Sequence, residues 1–182
     1  MIRRIRAPLC REEIDSLRAG DSVLLSGVIY TGRDAAHKRM CAVIGRGEVL
    51  PIDICGQVIY YAGPCPAKPG DTIGACGPTT SSRMDDYAPA LCGLGLKGMI
   101  GKGPRNDAVK ASIIENGCVY FAATGGAGAL IASCVKSARV VAFEDLGTEA
   151  IRELYVEDMP LIVAMDPFDG DLYTEGPARY RL

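Results

Sequence analysis

Short stretches with the spacing of strands alternate along the chain with short stretches that have the spacing of helices. The segment 22–30, SVLLSGVIY, is apolar and rich in β-branched residues, which predicts a strand. The segment 34–44, DAAHKRMCAVI, has helical spacing, and Asp34 is a candidate N-cap. Further strands are predicted at 1–9, 98–100, 118–123, 139–143 and 161–165, extended pieces at 49–51, 57–61 and 71–76, and helices at 11–19, 84–91, 106–115 and 128–135. This mixture indicates an α/β or α+β fold.

The C-terminal part of the chain gives a less regular pattern. The segment 148–156 lies between two predicted strands and is expected to be a short helix or an irregular crossing. Two prolines and two glycines predict irregular structure over the tail 166–182. No linker is long enough to divide the chain, so a single domain over residues 1–182 is expected.

Charge and hydropathy exclude two classes of function for the chain as a whole. Twenty Lys and Arg residues against 22 Asp and Glu give a net charge of −2, which is not that of a basic nucleic-acid-binding protein. No apolar run approaches the roughly 18 residues that a membrane span needs. The N-terminal segment becomes charged too early for a signal peptide, so a cytoplasmic protein is expected.

The cysteines do not have the spacing of a metal site. No gap between them is the short gap of two to four residues that is common in zinc and iron–sulfur sites. Most lie in apolar stretches, so we interpret them as reduced thiols that act mainly as small buried hydrophobic residues. The eight are Cys10, Cys41, Cys55, Cys65, Cys76, Cys92, Cys118 and Cys134.

Three loops each place a cationic side chain close to a glycine-bearing turn. In YTGRDAAHK, Arg33 stands between a predicted strand and a predicted helix, where an anion is favoured. In CGPTTSSRMDDY, four hydroxyl residues precede Arg83, and Thr79 lies one helical turn before it. In GMIGKGP, Lys102 lies between two glycines that allow the backbone to approach a ligand. Together, three such cations suit a small dianion such as a dicarboxylate.

Each of these loops also has an interpretation that needs no ligand. In the first loop, Arg33 would pair with Asp34 on a solvated turn. In the second, the hydroxyl residues would cap a helix beside an Arg83 at the surface, and in the third, Lys102 would be a solvent-exposed residue of a turn. The glycine-rich stretch 123–132 either binds an anion or packs its helix closely on the sheet, and we favour packing. The Lys102 loop lacks the spacing of a P-loop, and ATGGAG is not the dinucleotide-binding fingerprint.

Nucleophilic hydrolase chemistry is poorly supported by the sequence. His37 is the only histidine, and the sequence shows neither a Cys–His nor a Ser–His–Asp set. We interpret His37 as a structural residue of its helix rather than as a base.

Five strings between Val23 and Asp166 carry a family resemblance. In order, they are LLSGVIYTGRDAAHKR, LPIDICGQVIYYAGP, GPTTSSRMDDY, IGKG and FEDLGTEAIRELYVEDMPLIVAMD. With them, the chain resembles the β subunit, or C-terminal domain, of the class I iron–sulfur fumarate hydratases and of their L-tartrate dehydratase relatives. RDAAHK together with GPTTSSRMD is a specific combination.

The resemblance implies a fold, an activity and a partner. The implied fold is a swivelling β/β/α domain of the α/β class, with three layers, mixed sheets and short helices. The implied activity is that of a hydro-lyase, the reversible hydration of fumarate to L-malate, with a [4Fe–4S] cluster as Lewis acid. In this family the α subunit holds the cluster, so no metal ligand is expected on this chain. The expected partners are a fumarase α subunit and a dicarboxylate substrate, and the expected assembly is α2β2.

The family's motif positions fall on four residues of this sequence. By resemblance, the substrate-binding arginines are Arg33 and Arg83, and the substrate-binding lysine is Lys102. Thr79 falls on the position proposed as the catalytic base. Removal of a proton beside a carboxylate builds up extra negative charge, which prearranged cations stabilise.

Several alternatives stay open at this point. A hydroxyl is a poor base unless its surroundings activate it. Asp34 and Asp85 therefore rank second as bases and are expected instead to orient the two arginines. The substrate is either fumarate or tartrate, and a non-catalytic dicarboxylate-binding module of the same fold is a further alternative. No function is assigned to DPFDGDLY, residues 166–173, which varies from the family's usual ending.

Overall fold

The computed structural model describes residues 2–181, which form seven strands and six α-helices. The strands are β1 (Ile2–Ala7), β2 (Ser22–Thr31), β3 (Val58–Tyr60), β4 (Gly98–Gly101), β5 (Val119–Ala122), β6 (Val135–Ala142) and β7 (Ile151–Met165). The helices are α1 (Arg11–Ser16), α2 (Asp34–Gly45), α3 (Ala88–Gly93), α4 (Asp107–Asn116), α5 (Gly128–Cys134) and α6 (Leu172–Arg179), with short 3₁₀ helices at Ser81–Met84 and Glu144–Glu149. No helix within residues 2–181 is long and apolar enough to cross a membrane.

The strands form one mixed sheet that closes on itself. Strands β1 to β5 pair in parallel in chain order, and β7 runs antiparallel to both β2 and β5. Strands β2, β3, β4, β5 and β7 therefore form a ring. Strand β1 pairs with β2 outside this ring, and β6 pairs with β7.

Alternate residues of the parallel strands belong to two separate hydrophobic clusters. Val58 and Tyr60 face a cluster that also contains residues of β2 and β7. Ile59 and Tyr61 face a second cluster, which contains residues of α2, α3 and α4. Strands thus cover one face of β3 to β5 and helices cover the other, because side chains of a strand point alternately to opposite faces. The α/β class expected from the sequence is confirmed.

The parallel strands end at one common edge. Thr31 of β2 pairs with Tyr60 of β3, Tyr60 pairs with Ile100 of β4, and Gly101 pairs with Ala122 of β5. Because the strands are parallel and in this register, the loops that follow all four of them emerge side by side. The carboxyl ends of parallel strands are the usual location of ligand sites in α/β folds.

Two expectations for the C-terminal part of the chain are wrong. The segment 148–156 is not a helix or an irregular crossing, because most of it belongs to the 15-residue strand β7. Charged residues and Pro160 interrupt its apolar alternation, but β2 supplies a backbone partner along most of its length. The tail is not irregular throughout either, because Asp171 caps α6 by accepting a hydrogen bond from the Tyr173 N–H.

Smaller differences concern the loops. The extended pieces predicted at 49–51 and 71–76 form no strand in the described part of the chain. The helix predicted over 84–91 is divided into the 3₁₀ helix Ser81–Met84 and the helix α3, which begins with Pro89 in its first turn. Proline is well tolerated there because the first turn has no need of its N–H.

Gly27 lies where β2 contacts both β1 and β7, at an irregularity in the β2–β7 register. Its φ is +110°, and a Cβ atom there would lie 2.3 Å from the Ala7 carbonyl oxygen. We expect Gly27→Ala to lower the free energy of unfolding by roughly 3 kcal/mol, from backbone strain and steric overlap together.

The matched control is Gly20→Ala. Gly20 has a similar φ of +96°, but nothing lies within 4 Å of the added atom, so only the strain of about 1 kcal/mol applies. Urea unfolding measures both variants. Equal losses of stability would contradict the close approach of β1 to β2.

Candidate functional site

The loops that follow β2 and β4 carry two of the predicted cationic residues. Arg33 comes two residues after the end of β2 and precedes the first residue of α2. Lys102 comes directly after β4 and is exposed. Both residues therefore lie at the common edge of the parallel strands.

The hydroxyl-rich segment runs between the ends of β3 and β4. The Thr79 N–H donates to the Tyr61 carbonyl at 2.7 Å, and the Ser81 N–H donates to the Lys102 carbonyl at 2.9 Å. Thr80 forms an isolated parallel bridge with Lys102. The half-buried Thr79 is thereby fixed beside the β3 end, and Arg83 follows in the adjoining 3₁₀ helix.

Asp34 holds the two predicted arginines together. Its Oδ2 atom accepts a hydrogen bond from Arg83 Nη2 at 2.8 Å, and its Oδ1 atom lies 3.6 Å from Arg33 Nε. Arg33 Nη2 also lies 3.3 Å from Glu149 Oε1. The side chain of Arg33 is mostly buried, whereas that of Arg83 is half-exposed. The expected contact of Asp34 with Arg33 is present, and Asp34 also contacts Arg83, which the sequence did not predict.

Lys102 points over the glycine-rich turn that follows β5. A Cβ atom on Gly125 would lie 3.9 Å from Lys102 Nζ. No carboxylate among residues 2–181 lies within 4.0 Å of this ammonium group. Its charge is therefore available to an anion at the edge.

The expectation that Asp85 orients Arg83 is wrong. Asp85 is buried and pairs with Arg105, with 2.6 Å between Asp85 Oδ1 and Arg105 Nε. Its second oxygen accepts the Asn106 N–H at 2.8 Å. The 3₁₀ turn explains the difference, because it leaves Arg83 at the surface and directs Asp85 inward.

Arg105 is a residue that sequence reasoning missed. Its guanidinium is buried and lies 5.3 Å from the ring centre of Tyr61 and 5.0 Å from that of Tyr120. Burial raises the pKa of Tyr61 to about 12 and that of Tyr120 further, so both phenols stay protonated at neutral pH. Nothing in the spacing indicates this role, since an arginine just before a helix is usually solvated.

His37 is completely buried beneath the Arg33 loop. Its Nδ1 lies 2.9 Å from the Arg33 carbonyl, so this nitrogen carries the proton and donates. The ring packs edge-on against Tyr61 at 5.2 Å. Burial lowers the pKa of His37 to about 4, which keeps it neutral at pH 7. These contacts agree with the structural interpretation of His37.

In the glycine-rich stretch 123–132, residues 124–126 form an exposed turn, whereas the helix α5 that follows packs closely. The Gly128 carbonyl accepts the Cys76 N–H at 3.0 Å, and a Cβ atom on Gly128 would lie 3.1 Å from the Gly77 nitrogen. Ile131 of the same helix is buried in the first cluster. The packing interpretation of this stretch agrees with these contacts.

Comparisons with known proteins identify the class to which this chain belongs. The chain is 39% identical over 173 residues to a putative L(+)-tartrate dehydratase subunit beta of Methanocaldococcus jannaschii, which covers 92% of this chain and 89% of that relative. It is 34% identical over 176 residues to a putative fumarate hydratase class I of Geobacillus stearothermophilus. It is 37% identical over 153 residues to the anaerobic class I fumarate hydratase of Escherichia coli. The class is therefore that of the hydratase and dehydratase enzymes, the hydro-lyases.

The family is given by a match to the model of the fumarase C-terminus, which spans residues 2–176. The chain belongs to this fumarase C-terminal family, as its sequence motifs indicated. The two fumarate hydratases are much longer proteins. The matches cover 94% and 83% of this chain but only 33% and 28% of those relatives.

The buried ion pair beneath the loops yields a stability prediction. Asp85→Asn removes the carboxylate charge and leaves the buried Arg105 guanidinium uncompensated, so the free energy of unfolding should fall by roughly 3 kcal/mol. The matched control is Asp86→Asn, an exposed neighbour in the same turn, which should change it by less than about 0.5 kcal/mol. Chemical denaturation measures both, and similar small losses would contradict the pair's role.

His37 yields a pH prediction. Its pKa falls from an ordinary 6.5 to about 4 in the folded chain, so the unfolded chain binds the extra proton between these values. Stability should therefore decline as the pH falls from about 6.5 to about 4, by roughly 3 kcal/mol from this group.

The comparison protein is the His37→Asn variant, because the side-chain amide nitrogen of asparagine can take the place of His37 Nδ1. Urea unfolding of both proteins at several pH values measures the slope. The variant should lose the part of the slope that His37 contributes, and an unchanged slope would contradict the neutral buried imidazole.

Proposed function

We propose that this chain is the β subunit of an iron–sulfur-dependent hydro-lyase that interconverts fumarate and L-malate. In this proposal Arg33, Arg83 and Lys102 bind the dicarboxylate at a site shared with an α subunit. The observation that carries it is the placement of all three cations on loops at one edge of the parallel strands. The names of the relatives support the reaction class.

The charges at the edge suit the reaction. Proton removal beside a carboxylate gives an aci-carboxylate with additional negative charge, and prearranged cations lower its energy by a few kcal/mol for each contact. Arginine binds a carboxylate through two parallel N–H groups, whereas lysine acts as a point charge. Two arginines and one lysine therefore provide both orientation and charge.

Thr79 is the base that we propose. Asp34 already bridges Arg33 and Arg83, and Asp85 is buried against Arg105. Both carboxylates thus have a positioning role, although Asp34 Oδ1 lies 3.6 Å from Arg33 Nε and accepts no hydrogen bond from the described residues. Thr79 lies beside the cationic loops with its N–H fixed on the Tyr61 carbonyl, and in this proposal the positive charges of those loops favour ionisation of its hydroxyl.

The [4Fe–4S] cluster implied by the resemblance does not fit the donor set of this chain. Among residues 2–181, no three His, Cys, Asp or Glu side chains are grouped so that they would hold a metal ion. We propose that the cluster belongs to the α subunit, in an α2β2 assembly located in the cytoplasm, and that residues 1–182 form a single domain.

Dehydration of L(+)-tartrate is the second candidate reaction. The relative of M. jannaschii with that name matches over 89% of its length, so it is a separate subunit of similar size. Both reactions use a dicarboxylate, and the same three cations serve either of them. Turnover of fumarate, L-malate or L(+)-tartrate distinguishes these two reactions from a non-catalytic dicarboxylate-binding module.

The test is turnover of the chain assembled anaerobically with its α partner. Fumarate, L-malate and L(+)-tartrate are each assayed, and we expect hydration of fumarate. Arg83→Ala should lower kcat/KM by roughly a hundredfold or more, because a charged contact to the reacting carboxylate is lost. The matched control is Arg46→Ala, which removes a similarly half-exposed arginine paired with Glu48 and should leave kcat/KM unchanged. Near-normal turnover by Arg83→Ala would overturn the site, and dicarboxylate binding without turnover would favour the module.

A further inference from the structure

The short turn that carries Lys102 is held by side-chain hydrogen bonds in addition to the backbone bond from the Ser81 N–H to the Lys102 carbonyl. The Lys102 N–H donates to Ser81 Oγ at 3.0 Å. The Gly103 carbonyl accepts the Tyr120 hydroxyl proton at 2.8 Å, and the Gly103 N–H donates to the Tyr173 hydroxyl at 2.9 Å. Three segments of the chain therefore fix this turn.

The donors and acceptors of the hydrogen bonds among Ser81, Tyr120 and the Lys102 turn can be assigned in only one way. Tyr120 gives its only proton to the Gly103 carbonyl, so the Ser81 hydroxyl donates to the Tyr120 oxygen at 2.8 Å. Ser81 Oγ then remains free to accept the Lys102 N–H. Ser81 is buried and Tyr120 is fully buried, so this half of the turn is rigidly supported from below.

The Gly103 N–H, on the other side of the turn, is held by the Tyr173 hydroxyl alone. Gly103 has a φ of +82°, and its N–H points to the phenol of α6. Asp171 fixes the start of α6 by accepting the Tyr173 N–H and by pairing with Lys110 at 2.7 Å. The segment 166–173, to which no function was assigned, thus places one hydroxyl against the Lys102 turn.

We propose that Tyr173 is a positioning residue, which orients the Lys102 turn and thereby the ammonium group for the substrate carboxylate. The inference rests on the proposed function, because it gives Lys102 a substrate to bind. Lysine has a flexible four-carbon side chain, so the direction of its backbone determines where its charge can act. A turn without the Tyr173 hydroxyl would present this charge in several orientations and bind the dicarboxylate more weakly.

Tyr173→Phe tests the proposal in the assembled enzyme. A neutral hydrogen bond is worth about 1 kcal/mol, so KM for the dicarboxylate should rise about fivefold while kcat changes less than twofold. The matched control is Tyr180→Phe, which removes the same hydroxyl from the exposed end of α6 and should change neither constant. A merely structural role would lower the active fraction, and with it kcat, without raising KM.

A double-mutant cycle with Lys102→Ala shows whether Tyr173 acts through Lys102. Tyr173→Phe should raise KM in the presence of Lys102 and have no further effect in its absence. Independently of activity, the Gly103 amide proton should exchange about fivefold faster in Tyr173→Phe, as measured by NMR on the chain.

Three results would overturn the inference. They are an unchanged KM in Tyr173→Phe, an equal rise in KM in the Lys102→Ala background, and unchanged exchange at Gly103. Failure of the proposed function would give a different set of results. Lys102→Ala would then leave turnover and KM unaltered, although exchange of the Gly103 amide proton would still be faster in Tyr173→Phe.

Discussion

The buried ion pair between Arg105 and Asp85 is the interaction on which the edge of the sheet depends. Arg105 comes three residues after Lys102, and Asp85 comes two residues after Arg83, so the pair ties together two of the cationic loops. Both partners are removed from water, and separating them would leave an uncompensated charge among Tyr61, Tyr120 and the second cluster. The two loops therefore keep a fixed relation to each other before any ligand arrives.

The cations at the edge can lie close together because carboxylates offset part of their charge. Arg33, Arg83 and Lys102 carry three positive charges, and Asp34 and Glu149 supply two negative ones beside the arginines. A dicarboxylate substrate would meet arginines that are already oriented and a lysine that has no carboxylate partner among residues 2–181. Preorganisation of this kind lowers the cost of assembling like charges at the moment of reaction.

The sequence predicts those parts of the fold and site that depend on local pattern. Strand β2 and helix α2 have unbroken spacing, and a glycine beside a cation marks the loops of Arg33 and Lys102. The part of β7 before the predicted strand 161–165 escapes prediction, because its charged residues and proline are accommodated by pairing with β2. The burial of Arg105 and Asp85 escapes it as well, since two charges enter a core only when distant segments bring them together. The Tyr173 contact with Gly103 spans 70 residues and leaves no local signal.

The exposed edge is where a second polypeptide would contribute under the proposed function. Arg83 is half-exposed and Lys102 is exposed, so water screens both charges and weakens their hold on a carboxylate. Covering the edge would expel water and strengthen each of these contacts without altering the chain itself. The fumarate hydratases that this chain matches have about two thirds of their length outside the match, which is ample chain for such a cover. Under the proposed function, the rigid support of the loops from below and the cover from the partner are complementary. The first fixes where the charges point, and the second determines how strongly they act.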